Sequence, residues 1–326
     1  MPYCVMFDHG LTIGPNGIVR PCCHYRDEKP LRFNDDWKSE HKRLGQLSAS
    51  GDWLPGCIEC KLKQEEDGIP WSDHYNKKLA DCGDGIAWWD LKINNTCNLA
   101  CKMCDSWSSS TWQKITKENN LPKDFMDAYG KAPKEKWHRD FDIVFPNLAY
   151  AEVVKFTGGE PFMIPQVWKM VQYMVDNDIA KDVQLHFTTN GTINLEDKLS
   201  TLKHFSEVSF NISLDAIGER YEYIRQNAKW NEVETNVLAL HAATIGTNME
   251  VRVNSLHQIL NKDHVHEVVD WCAEHGIFWS SCGTCYDPEF MSPNVLENPV
   301  LAEQLIKHLK TIDSIHNTNY EKFLDT

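Results

Sequence analysis

From residue 88 onward, short apolar runs alternate with segments whose apolar residues recur at helical spacing. The runs fall at 88–93, 152–156, 183–187, 208–214, 249–253 and 276–280, and each predicts a buried strand. Between them Val167, Met170, Val171 and Met174, and again Val233, Val237, Leu240 and Ala243, place apolar side chains on one helix face. Six strands joined by crossover helices predict an α/β fold with a parallel sheet, whose functional residues collect in loops leaving the strands' C-terminal ends. One connection is out of rhythm: residues 121–148 are far longer than an ordinary loop and read as a cap over the site or as a helical insertion.

Residues 1–85 read differently, as an irregular segment rich in Gly, Pro, Trp and charge. The predicted organisation is a small domain over 1–85, an α/β domain over 86–290 and a C-terminal helical segment over 291–326. At 326 residues and 42% hydrophobic content, the chain is long enough for one large core with an appendage. A net charge of -14 opposes bulk binding to nucleic acid or anionic lipid. No apolar stretch approaches the ~20 residues of a membrane span, and the opening MPYCVMFDHG lacks a secretory pattern, so a cytoplasmic location is expected. In that compartment twelve cysteines point to metal or redox chemistry, not to disulfides.

Directly after the first strand, NNTCNLACKMC places Cys97, Cys101 and Cys104 on one short loop in a C-x3-C-x2-C spacing. A [4Fe–4S] cluster takes four thiolates, so three leave one iron open to a small molecule with an amine and a carboxylate. Structural zinc favours paired C-x2-C units and fits this asymmetric triplet poorly. This motif resembles that of the radical S-adenosylmethionine (SAM) superfamily over roughly residues 88–281. The resemblance implies a partial six-stranded (β/α) barrel, a cluster on Cys97, Cys101 and Cys104, and reductive cleavage of SAM to a 5′-deoxyadenosyl radical that abstracts a substrate hydrogen. Met103 stands where the family usually has an aromatic residue, and its polarizable sulfur can still pack on adenine.

Further stretches are similar to the family's SAM-binding elements. Gly158, Gly159 and Glu160 look like the GGE motif, whose carboxylate meets the SAM ammonium. Asn190 lies in TTNG, which as a bare sequence also reads as an ordinary turn. Ser213 and Asp215 form S-x-D, able to bond ribose hydroxyls or an amino-acid end. Arg225 resembles an arginine that meets the SAM carboxylate, a surface salt bridge being the competing reading. Arg252 and Asn254 are weaker candidates for the same pocket.

In the N-terminal segment Cys4 and Cys22 follow C-x12-G-x4-C about Gly17, and Cys57 and Cys60 form C-x2-C. This pattern is similar to the twitch domain, the shortened relative of the SPASM auxiliary-cluster domain, here placed before the barrel. Four thiolates satisfy a second [4Fe–4S] cluster, and zinc is the competing occupant. Cys23 is a spare or alternative ligand; Cys82, Cys272, Cys282 and Cys285 carry no readable role, the last two reading as a reduced pair beyond the sixth strand. The resemblance implies a radical SAM enzyme with a reductant such as flavodoxin or ferredoxin. It modifies a peptide or, as the alternative, oxidises a small molecule such as a sugar. A noncatalytic iron–sulfur or zinc scaffold is the reading from another class.

Overall fold

The computed structural model describes residues 3–26, 31–33, 36–132 and 144–324. The N-terminal part is more regular than its composition suggests. It contains helix α1 (Met6–His9), strands β1 (Gly10–Ile13), β2 (Ile18–Arg20) and β3 (Leu31–Arg32), and helices α2 (Trp37–Ala49), α3 (Ile58–Asp67) and α4 (Trp71–Lys78). Strands of four residues or fewer carry too little periodicity to read from sequence. The β1–β2 hairpin turns on Gly17 at φ 79°, a left-handed conformation that glycine adopts without strain. The glycine of C-x12-G-x4-C is therefore a turn requirement, which brings Cys22 back past the start of the chain.

The rest alternates strand and helix: β4 (Trp88–Lys92), β5 (Ala100–Cys101), α5 (Ser110–Glu118), α6 (Lys123–Tyr129), β6 (Val153–Thr157), α7 (Pro165–Asp176), β7 (Gln184–Thr189), α8 (Leu199–Leu202), β8 (Glu207–Ser213), α9 (Gly218–Ile224), β9 (Arg225–Gln226), α10 (Trp230–Thr244), β10 (Met249–His257), α11 (Val265–His275), β11 (Phe278–Thr284) and α12 (Pro299–His316). All six predicted strands are present, as β4, β6, β7, β8, β10 and β11, and they pair in parallel. β1 pairs in parallel with β4, so the N-terminal hairpin continues the same sheet in the order β11-β10-β8-β7-β6-β4-β1-β2-β3. The sheet is open, with β11 and β3 at its edges; the barrel is not closed.

Register explains the core. Leu11, Trp89, Val154, Leu185, Val208 and Met249 align across six strands, and Ile13, Leu91, Phe156, Phe187, Phe210 and Val251 form a second apolar row. These residues are buried, and Phe187 stacks between Phe156 and Phe210 at 5.6 and 5.9 Å. Burying one such phenylalanine is worth roughly 1.5–3 kcal/mol. Helix α7 adds Val167, Met170, Val171 and Met174 as the pattern predicts. In α10 Val233 and Val237 are buried, but Leu240 is only partly covered and Ala243 is exposed. The 3.6-residue repeat from Val233 carries Thr244, not Ala243, onto the packed face.

Residues between these rows point to the opposite face, because strand side chains alternate. There Thr12, Asp90, Lys155, His186, Ser209 and Glu250 align. A further row holds Lys92 beside Thr157, and Thr188 beside Asn211 and Arg252. One face of the sheet is thus apolar and the other polar.

The long connection resolves partly. Its α6 is packed, with Phe125 and Tyr129 in the core against His308 of α12; residues 133–143, on which the cap reading also falls, lie outside the described residues. Among the described residues no helix is long and apolar enough to cross a membrane.

Candidate active site

The loop after β4 carries the cysteine triplet, and local hydrogen bonds shape it. The Asn94 side chain accepts from Thr96 N–H at 2.8 Å. Ser110 and Thr111 donate hydroxyls to the Cys97 carbonyl at 3.1 and 2.7 Å, and Ser110 accepts from Cys97 N–H at 3.0 Å. Ser109, the N-cap of α5, donates to the Leu99 carbonyl at 2.6 Å. Sequence reasoning passed over this serine-rich run, although serine before an apolar helix is an N-cap signal. Tyr129 donates to the Lys102 carbonyl at 2.9 Å, so the long connection also holds the loop.

Several predicted residues converge on the thiols. β5 pairs with β9, setting Cys101 opposite Arg225. Arg225 donates to Cys101 Sγ at 3.9 Å and pairs with Asp215 at 2.8 Å; both side chains are buried. That burial removes the surface-pair reading of Arg225. Burial works against the guanidinium charge, while Asp215 and Cys101 raise its affinity for the proton. Asn190 donates to Cys97 Sγ at 3.9 Å and to Asn98 at 3.0 Å, which makes TTNG more than a turn. The Cys104 thiol and Arg225 favour the thiolate of Cys101, whose pKa is lowered, whereas burial pushes Cys97 up to about 12.

Glu160 is buried, and its oxygens accept from Thr189 at 2.8 Å, Phe162 N–H at 3.2 Å and Asn190 N–H at 2.8 Å. Burial raises its pKa to about 7 against the pull of these donors. The residue therefore ties the loops after β6 and β7 together. Gly159, at φ 60°, meets the cysteine loop itself: a Cβ there would lie 2.4 Å from the Thr96 carbonyl oxygen. Gly158 is also left-handed, at φ 74°.

Other predicted residues make their contacts elsewhere. Ser213 and Asn254 are cross-strand neighbours, and Asn254 bonds Ser280. Arg252 pairs with Glu250 at 2.6 Å and lies over the Phe278 ring. Met103 is partly buried against the main core. Cys282 falls within β11, not after it, and is exposed; Cys285 is buried and donates to the Asp287 carbonyl.

At the N-terminus Cys4, Cys22, Cys57 and Cys60 line one pocket, together with His24, Tyr25, Trp71 and Tyr75. Cys57 closes a 3-10 turn and Cys60 lies in the first turn of α3, so their three-residue spacing puts both thiols on one side. Cys23 instead faces Tyr75, at 3.9 Å, and feels the charges of Asp90 and Lys155. Burial pushes Cys4 and Cys57 up to about 12. Among the described residues no three His, Cys, Asp or Glu side chains converge tightly enough for a single metal ion. Thiolates of a cuboidal cluster sit on separate irons, so both cysteine groups fit a cluster by their donor sets: three thiols above the parallel strands and four about a pocket.

A parallel α/β sheet with a thiol triplet in the loop leaving its first long strand fits a protein that holds a metal cluster beside the ends of its strands. The chain belongs to the radical SAM superfamily, which its residues 91–272 match. Membership makes it an enzyme of that class and implies a [4Fe–4S] cluster and SAM. It is 24% identical over 191 residues to the sporulation killing factor maturation protein SkfB of Bacillus subtilis, covering 58% of this chain and 40% of that protein. It is 28% identical over 190 residues to the GTP 3′,8-cyclase of Streptomyces coelicolor, covering 57% and 50%. The chain thus matches half or less of the length of these curated relatives. Among solved structures, SuiB of Streptococcus suis aligns with a TM-score of 0.42 at 13% identity, covering 94% of this chain and 69% of that one.

Proposed function

We propose that Cys97, Cys101 and Cys104 hold the SAM-cleaving [4Fe–4S] cluster and that Cys4, Cys22, Cys57 and Cys60 hold a second, auxiliary one in a twitch-like N-terminal domain over residues 1–85. The observation that carries this reading is the partition of the thiols: three in the loop beside Asn190 and Arg225, four about a separate pocket. Three ligands leave an iron open, and four close a cluster. When bound, the first cluster and SAM supply one-electron cleavage and hence hydrogen-atom abstraction.

The chain's own residues prepare that site. Arg225 places a buried cation beside Cys101, and Asp215 orients it at 2.8 Å. Asn190 aims an amide N–H at Cys97. Glu160 locks the loops after β6 and β7, and Gly159 lets the first of these touch the cysteine loop. Ser213 closes β8, with Asn254 of β10 and Ser280 of β11 beside it across the strands, and their polar groups suit the ribose and amino-acid end of SAM.

A peptide or protein is the favoured substrate, in keeping with a maturation protein among the relatives; a small molecule is the second reading, in keeping with the cyclases. The test is anaerobic reconstitution followed by addition of dithionite and SAM. About eight irons per chain are expected from two cubane clusters, with SAM altering the electron paramagnetic resonance of one of them. Cys101→Ala should remove about four irons and that response. A response that persists in Cys101→Ala refutes the assignment.

A further inference from the structure

The polar face of the sheet carries a cluster that neither cysteine group uses. Asp90, Lys155, His186 and Glu250 lie in one row, with Lys92 and Arg252 in the next. Parallel sheets are ordinarily apolar and covered on both faces. Here Lys155 is 31% and Arg252 43% exposed in their side chains, so these two cations reach solvent although Asp90 and Ser209 of the same row are buried.

The cluster's Lys155 lies near two thiols that belong to neither group. Lys155 Nζ stands 3.7 Å from Asp90 and is close enough to feel both Cys23, from the N-terminal part, and Cys282, from β11. Cys282 in turn feels Asp215 and Arg225 of the triplet site. Arg252 is held by Glu250 over the Phe278 ring. His186 reports the local field: its pKa falls to about 4, through burial first and then through Lys155, Lys78 and Arg252.

We propose that Lys155 and Arg252, on this face, hold an anionic group of the substrate, a carboxylate or a phosphate. The proposal rests on the radical SAM reading only for placing the chemistry beside Asp215 and Arg225. Asp90 holds Lys155 across the β4–β6 pair, and Glu250 holds Arg252 along β10, before any ligand arrives, which lowers the ordering cost of binding. Lys155 supplies a point charge and Arg252 a planar fork suited to two oxygens.

The test reads reagent charge at Cys282, the exposed thiol of this face. In cluster-reconstituted protein, Cys282 and Cys82 react with an anionic (ethylsulfonate) and a cationic (trimethylammonium) methanethiosulfonate, and peptide mass spectrometry gives the rate at each thiol. The anionic-to-cationic ratio at one thiol cancels its intrinsic reactivity. Cys82, whose charged neighbours are Glu152 and Asp81, is the internal reference. The ratio should be about ten-fold higher at Cys282 than at Cys82, a modest effect for a focused surface potential. It should collapse at Cys282 in Lys155→Met/Arg252→Met and survive in Lys155→Arg/Arg252→Lys. Raised salt should shrink it in the unaltered protein, which tests the field without any variant. Glutarate or pyrophosphate, in millimolar amounts, should slow labelling of Cys282, and the stronger of the two names the anion's source. Equal ratios at the two thiols, insensitivity to salt and charge removal, or no protection by either anion overturns the proposal. Labelling needs no turnover, so absent SAM cleavage with an intact ratio would sink the proposed function and leave the anion site standing.

Discussion

Replacing Arg225 with leucine should destabilise the protein sharply. The guanidinium lies 2.8 Å from Asp215, with side-chain exposures of 11% and 1%. Leucine leaves the Asp215 carboxylate buried without its counter-charge, a change that costs about 3–5 kcal/mol when a buried pair is broken from one side. Asp215 keeps the Leu256 N–H at 2.9 Å, which argues for the lower end of that range. Against a typical stability of about 5–15 kcal/mol, even 3 kcal/mol is a large fraction. Urea unfolding of the metal-free protein, followed by fluorescence of its twelve tryptophans, measures it. Asp215→Asn removes the stranded charge, so the double variant Asp215→Asn/Arg225→Leu should recover about 2 kcal/mol relative to the sum of the singles. Additive losses, or a loss below about 1 kcal/mol in Arg225→Leu, would refute the buried-pair reasoning.

Further outcomes follow from the same geometry. Glu160, with its pKa raised from 4.5 to about 7 in the folded protein, binds a proton that the unfolded chain releases. Its contribution is therefore fully present below pH 4.5 and is lost as pH rises toward 7. Relative to Glu160→Gln, native stability should fall by about 1.4 kcal/mol per pH unit across that window, measured by urea unfolding at several pH values; parallel curves contradict this. Gly159→Ala forces a Cβ to 2.4 Å from the Thr96 oxygen at φ 60°, and should cost about 1–3 kcal/mol and lower iron retention by the triplet; unchanged thermal unfolding would show the contact to be slack. Cys22→Ser should lose about four irons on reconstitution while Cys23→Ser keeps them, because Cys22 lines the pocket and Cys23 does not. Equal losses would make the two thiols interchangeable.

The parallel strands were legible because their buried apolar residues recur at every second position, as Leu185 and Phe187 do, and Val208 and Phe210. β1 to β3 escaped notice because four, three and two residues cannot establish a period, and their place beside β4 is a long-range pairing. The cysteine spacings pointed to two groups; which of Cys22 and Cys23 turns inward depends on a loop packed under Tyr75. Arg225 was the stronger arginine candidate in the sequence and Arg252 a weaker one. What sets Arg225 at Cys101 is the pairing of β9 with β5, two residues against two, a contact between segments 124 residues apart. Glu160 resembled a ligand for an ammonium group; its bonds to Thr189 and Asn190 cross about thirty residues and have no local signature.

The pairing of β1 with β4 bears on how the two thiol groups can communicate. A flexible tether would let their separation wander, but a hydrogen-bonded ladder running from Gly10 beside Trp88 to Ile13 beside Leu91 sets it by strand geometry. Whatever passes between them crosses a gap of fixed width. The same stitching resists modular exchange: grafting the first 85 residues onto another scaffold would need that scaffold's own bare strand edge, and cutting them away would leave β4 as a raw margin inviting self-association.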